Sequence, residues 1–157
     1  MTRAAARAPE WREGFVEELG ILARDLGVPR AVVRVLGWMV VCDPPTQSAG
    51  DIEAALHLSA GSVSAATRTL VDTGLLERVA RPGERRIYFR LRPGGWEGAL
   101  ETRLRAATQL RVVVDRAMGS SGGESDDRLT DMREVYAWFE GRLDELLIER
   151  RSSPGHL

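Results

Sequence analysis

The stretch from Ser48 to Arg92 leaves this chain few choices of fold. Ser48 and Asp51 have the S-x-x-D spacing of a helix N-terminus, and Ile52, Ala55 and Leu56 give one short apolar face. Leu58 and Ser59 make a turn, and the Ser59 hydroxyl is placed to cap a second helix. Val63, Ala66 and Leu70 then recur at helical spacing, and Gly74 closes the segment because glycine accepts the left-handed conformation after a helix end. Leu75 to Val79 reads as a strand, Arg81-Pro82-Gly83-Glu84 as a turn, and Arg86 to Leu91 as the returning strand. The pattern predicts a helix-turn-helix followed by a two-stranded wing.

The residues off the apolar face of the second helix are Gly61, Ser62, Ser64, Ala65, Arg68 and Thr69. They are small or hydroxylated, with one arginine among them. A helix entering a DNA major groove of ~12 Å needs small residues near its start for close approach, and hydroxyls or arginine to reach base edges and phosphates. A Ser/Ala-rich solvated surface helix is the alternative, but it leaves the ordered succession of turn, cap and wing unexplained. Charge supports the DNA reading. The 157-residue chain carries a net charge of −1. From Ser59 to Arg92, however, seven arginines face three acids, a local +4 that leaves −5 on the remainder. A basic module on an acidic scaffold attracts phosphate locally.

The flanks read as helices. Trp11, Phe15, Leu19, Leu22 and Leu26 recur at helical spacing from about Pro9 to Leu26, with Gly27 as the stop and Pro29 suited to the first turn of the next helix. Val32, Val35, Leu36, Met39 and Val40 make that next helix a core element, ended by Asp43-Pro44-Pro45, and Gly37 favours close helix packing. After Pro93-Gly94-Gly95, the residues Trp96, Leu100, Leu104, Ala107, Leu110 and Val114 predict a helix of ~20 residues, about 30 Å long. Residues Gly119 to Asp127 have linker composition. A last helix follows, with Leu129, Met132, Val135, Tyr136, Phe139, Leu143, Leu146 and Leu147 assigned to one face and Arg150-Arg151 at its C-terminal end.

The expected organisation is therefore mostly α with a small β-wing. It comprises a mobile arm (1–9), N-terminal helices (10–47), a winged helix-turn-helix (48–92), C-terminal dimerisation helices (93–150) with a flexible linker (119–127), and a tail (151–157). The terminal helices carry more apolar surface than so small a module can cover, so burial against a second copy is expected, with folding back on the monomer as the alternative.

Several function classes lack any residue pattern. There is no phosphate-binding G-x-x-x-x-G-K-[ST], no Cys/His metal spacing and no G-x-S-x-G, so an enzyme, a cofactor and a metal site are not expected. No apolar run approaches the ~20 residues of a membrane span, and the opening residues lack the apolar core of a signal peptide. The expectation is a cytoplasmic protein without a membrane partner. The lone Cys42 allows no internal disulfide and reads as small core packing, with oxidant sensing as the alternative. Trp11, Trp38, Trp96 and Trp138, spread over four helices, read as core rather than as a cage for a quaternary ammonium group.

The order of elements from Phe15 to Met118 resembles the MarR-type winged helix-turn-helix regulators. Gly27-Val28-Pro29-Arg30 followed by Arg34-Val35-Leu36-Gly37 is similar to the G-x-P-R-x-x-x-R-x-L-G pattern of the GbsR-like branch. Leu58-Ser59-Ala60-Gly61-Ser62-Val63-Ser64 is similar to its L-S-x-G-S-V-S, and Pro82-Gly83-Glu84-Arg85-Arg86-Ile87-Tyr88 to its wing. The resemblance implies a homodimeric, sequence-specific regulator of transcription, a repressor, whose partner is double-stranded DNA and which often answers to a small-molecule effector. It places residues of about 60–73 in the major groove and the wing, 81–86, on the minor groove or backbone. The DNA-binding residues it implies, joined with the reading above, are Ser59, Gly61, Ser62, Ser64, Ala65, Arg68, Arg81, Arg85 and Arg86. Glu84 and Arg86 match the D-x-R of the wider group with Glu for Asp, which puts Arg86 ahead of Arg85 as the inserted residue. A protein-interaction module using the winged domain or the C-terminal helix is the alternative.

Overall fold

The computed structural model describes residues 9–120 and 127–152 and divides into two units, one running to Gly95 and the other starting at Trp96. The first unit contains α1 (Glu10–Leu22), α2 (Arg30–Val41), β1 (Gln47–Ser48), α3 (Ala49–Leu56), α4 (Ala60–Asp72), β2 (Leu76–Ala80) and β3 (Ile87–Leu91). Long helices α5 (Gly95–Ser120) and α6 (Asp127–Ser152) make up the second. The fold is mostly helical with a small antiparallel sheet, as the pattern predicts. That sheet has three strands in the order β1-β3-β2, not two. The extra strand pairs Gln47 with Phe89 and Ser48 with Tyr88. Two residues are too few to show any alternation, so this strand left no periodic signal in the sequence.

The core of the first unit joins α2, α3, α4 and the sheet through Val35, Met39, Ile52, Leu56, Val63, Ala66, Leu70, Leu76 and Phe89. Ile52, Val35 and Val63 are wholly buried, each removing a side chain from water at a gain of about 1.5–3 kcal/mol. Helix α1 packs on α2 differently from the expected Trp11-Phe15-Leu19-Leu22-Leu26 face. Its buried line is Val16, Gly20 and Ala23, while Phe15 and Leu19 are half-buried and Trp11, Leu22 and Leu26 are exposed. The cause is close approach: a Cβ on Gly37 would stand 2.9 Å from Leu19 Cδ1 and 3.6 Å from Val16 Cα. Small residues sit on the line of contact and the large ones are displaced to its sides. Beyond Leu22 one further hydrogen-bonded turn carries the chain to Gly27, whose φ of +63° ends it.

In the second unit Ala107, Val114 and Leu147 are buried. Thr108 Oγ1 and Arg111 Nε both donate to Glu140, at 2.7 and 2.8 Å, and Arg133 donates to Asp115 at 2.7 Å. The reversed order of these pairs makes α5 and α6 antiparallel. Hydrogen bonds from Thr108 and then Arg111 hold the Glu140 carboxyl below the usual range. The apolar residues expected on one face of α6 are divided between two. Leu129, Met132, Tyr136, Leu143 and Leu147 are half-buried or buried, whereas Val135, Phe139 and Leu146 are exposed, as are Trp138 and Ile148, which the expected face does not include. A stripe that wide exceeds what one neighbouring helix can cover. Of the expected linker, Gly119 and Ser120 still belong to α5, where Ser120 Oγ donates to Arg116 O, and Asp127 opens α6. The remainder of the linker, the arm up to residue 8 and the tail from 153 lie outside the described residues. No helix among the described residues is long and apolar enough to cross a membrane.

Candidate nucleic-acid interface

The site is built from helix ends. Ser48 caps α3 in a reciprocal box: Asp51 N–H donates to Ser48 Oγ at 3.2 Å, and Ser48 N–H donates to Asp51 Oδ2 at 2.8 Å. The helix stops at His57, which takes the left-handed conformation with φ of 51°, and Leu58 leads to Ser59. Ser59 Oγ accepts from Ser62 N–H at 3.2 Å and lies 2.9 Å from Ser62 Oγ, so α4 starts on a side-chain cap. At its far end Leu75 N–H donates to Leu70 O and Gly74 N–H to Val71 O, with Gly74 at φ of +77°. That is a Schellman closure, which turns the chain directly into β2.

Pinned at both ends, α4 buries Val63, Ala66, Thr67 and Leu70. Thr67 lies inside although it is outside the predicted apolar face, and its hydroxyl donates to Val63 O at 2.8 Å. The opposite face presents Gly61, Ser64, Ala65 and Arg68 to solvent, with Ser62 half-buried at its edge. Among the described residues Arg68 has no hydrogen bond or ion pair. A Cβ on Gly61 would meet nothing within 4 Å. The Ser59 and Ser62 hydroxyls are engaged with each other and with the cap, while the Ser64 hydroxyl has no partner among the described residues.

The wing pairs β2 with β3 from Leu76↔Leu91 to Ala80↔Ile87. Its corner is a type II turn: Pro82 precedes Gly83 at φ of +80°, and Glu84 N–H donates to Arg81 O at 3.1 Å. The seven arginines of this module are not equivalent. Arg90 and Arg92 both pair with Glu77 on the opposing strand, at 2.5 and 3.9 Å. The Arg81 guanidinium lies over the Tyr88 ring, 4.0 Å from its centroid. Arg85 and Arg86 are exposed at the tip and form no hydrogen bond or ion pair among the described residues. Tyr88 donates its phenol hydrogen to Glu84 Oε2, and this bond raises the phenol above its ordinary pKa. Glu84, matched above to the orienting acid of D-x-R, is thus engaged with Tyr88 rather than with Arg86.

The arginines of the Gly27–Gly37 motif serve the scaffold. Glu17 on α1 pairs with Arg30 at 2.8 Å and with Arg34 at 2.7 Å, and Arg34 Nη2 donates to Leu56 O at 3.2 Å. That bond fastens the end of α3 at the helix-turn-helix corner. Sequence reasoning also missed Gly95, which is buried: a Cβ there would stand 2.9 Å from Gly74 O and 3.3 Å from Leu75 Cα. Its only sequence signal was a glycine pair at a strand end.

Trp11, Trp96 and Trp138 are exposed and Trp38 is half-buried, so the expectation of four core tryptophans holds for none in full. The indoles of Trp11, Trp96 and Trp138 lie on helix faces that the packing within each unit leaves open, whereas Trp38 packs against the core. Cys42 is buried, and burial pushes its thiol up to about 11. Such a thiol is almost wholly protonated near neutral pH, which fits packing and not oxidant sensing.

Comparison with known proteins places this architecture. Residues 26–87 match the model of the MarR family, and residues 94–150 match that of MmpR5-like MarR family transcriptional regulators. The chain is 37% identical over 136 residues to the HTH-type transcriptional regulator MmpR5 of Mycobacterium tuberculosis, covering 85% of this chain and 82% of that protein. A crystal structure described as that of a transcriptional regulator superposes with a TM-score of 0.79 at 34% identity, covering 92% of this chain and all of the other. The chain belongs to the MarR family of transcriptional regulators, DNA-binding proteins of the winged helix-turn-helix type. Within that family its similarity to the MmpR5-like proteins extends through α5 and into α6.

Proposed function

We propose that this protein is a homodimeric, sequence-specific repressor in which α4 enters the major groove and the wing grips the adjacent minor groove or backbone. The observation that carries the reading is the exposed, unpartnered face of α4, small residues ending in Arg68, on the same core as a wing tipped by Arg85 and Arg86. Gly61, Ala65 and Ser64 let the helix backbone approach the base edges. Ser59 and Ser62 hold the helix N-terminus, whose unpaired N–H groups favour phosphate. Arg68 reaches bases or backbone, and Arg86 is the inserted wing residue with Arg85 beside it. Arg81, stacked on Tyr88, acts within the wing. The groove-facing pattern follows the GbsR-like motifs. As a regulator of transcription it works in the cytoplasm, where the DNA is.

The exposed Val135, Trp138, Leu146 and Ile148 of α6 and Val113 of α5 supply the apolar surface for pairing with a second copy. Two copies present two recognition helices to half-sites about one helical turn apart. A small-molecule effector would register as a rise in melting temperature in a thermal-shift screen.

The test is binding to a duplex from the region upstream of the protein's own gene. Arg86→Ala is expected to weaken binding and lower the slope of log K against log salt by about 0.9, one phosphate's worth. Arg68→Ala is expected to narrow the preference for that duplex over random DNA. Unchanged binding in both variants refutes the reading. A stable monomer by light scattering, with the α6 face open, would favour the protein-interaction module instead.

A further inference from the structure

Tyr88 is the unusual residue of the wing. It is only 8% exposed, yet it lies outside the packed cluster of buried side chains that its neighbour Phe89 joins. Successive strand residues point to opposite faces, so Tyr88 lies on the outer face of the sheet. The Arg81 guanidinium covers its ring there, and its hydroxyl donates to Glu84. These three residues bracket the type II turn: one opens it, one closes it, and the third is on the returning strand.

We propose that Tyr88 is a positioning residue for the DNA grip of the wing, holding Arg81 and Glu84 so that the tip is ordered before DNA arrives and Arg85 and Arg86 are its free cations. This rests on the reading that the wing contacts DNA. Ordering a loop during binding subtracts from affinity, and a tip already ordered by the stack and the hydrogen bond avoids that loss. The bond also turns the Glu84 carboxylate toward Tyr88, and among the described residues it forms no ion pair with Arg85 or Arg86. Arg81 is thereby a structural cation, not one that meets phosphate.

The test uses the full-length protein, fluorescence anisotropy with the upstream duplex, a salt series, and melting temperatures as the folding check. Glu84→Gln and Glu84→Ala remove the same charge but differ in keeping an acceptor for Tyr88. With Tyr88 present, Glu84→Gln is expected to bind about 3- to 10-fold tighter than Glu84→Ala, the range of one hydrogen bond. In a Tyr88→Phe background, which keeps the ring under Arg81, the difference is expected to vanish. Arg81→Ala is expected to leave the salt slope unchanged, while Arg86→Ala lowers it by about 0.9. The proposal is overturned if the Gln–Ala difference is absent with Tyr88 or persists without its hydroxyl, or if Arg81→Ala lowers the slope as Arg86→Ala does. If Arg86→Ala changes neither affinity nor slope, the wing reading itself has failed and takes this one with it.

Discussion

Gly61→Ala separates the stability of α4 from its use. Gly61 is the second residue of the helix, after Ala60, and a Cβ built on it meets nothing within 4 Å. In the free protein the substitution therefore adds no clash and restrains the unfolded chain. A mid-helix Gly→Ala change gains about 0.5–1 kcal/mol, and in the first turn the lower figure applies. For a chain of this size that is roughly 1–2 °C in melting temperature. On DNA the same methyl stands between the helix backbone and the groove. Overfilling a contact packed like a protein interior costs about 1–3 kcal/mol, which is about 5- to 150-fold in affinity. Thermal melting and anisotropy on one preparation should thus move in opposite directions. A raised melting temperature with unchanged affinity would show that this face never meets DNA. A lowered melting temperature would show that the start of α4 is packed differently.

Four further substitutions or treatments probe the scaffold. Cys42, with its thiol at about 11, is about one part in a thousand thiolate at pH 8, so alkylation of the native protein should be slow until it is denatured, and mild peroxide should leave DNA binding unchanged. Gly95→Ala forces a methyl against the Gly74 carbonyl at 2.9 Å and the Leu75 backbone, and is expected to destabilise by about 1–3 kcal/mol in denaturant titration. Gly98→Ala, three residues on with open space around it, is expected to stabilise by about 0.5–1 kcal/mol. His57→Gly removes a side chain from the left-handed position at φ of 51° and should raise the melting temperature, since the strain relieved there is about 1–2 kcal/mol.

The parts of the fold legible in the sequence were those written in local chemistry. Ser48, Ser59, Gly74 and the Pro82-Gly83 corner each carry a backbone requirement that few residues meet, and each sits where that requirement predicts. What the sequence hid depends on contacts between elements. Helix α1 turned its small residues inward because α2 offered Gly37 at the point of approach, a fact of the pair and not of either helix. The wide apolar stripe of α6 was one face by periodicity and two faces once α5 covered half of it. In the wing, composition counted seven arginines alike. Only register and stacking distinguish Arg90 and Arg92, paired with Glu77, and Arg81, stacked on Tyr88, from Arg85 and Arg86. Tyr88 and Phe89 read as two adjacent strand aromatics; that one packs the core and the other organises the turn follows from their opposite faces.

The central claim is that the exposed face of α4 lies in a major groove. Placing a DNA-cleaving iron chelate on Asp72→Cys, at the exposed far end of α4 beyond its small residues, tests it directly, since buried Cys42 will not compete for the label. The account predicts strand cuts confined to a discrete major-groove position of the upstream duplex, with an unlabelled excess of protein suppressing them. Uncut DNA at saturating binding, or cuts spread evenly along the duplex, would contradict it.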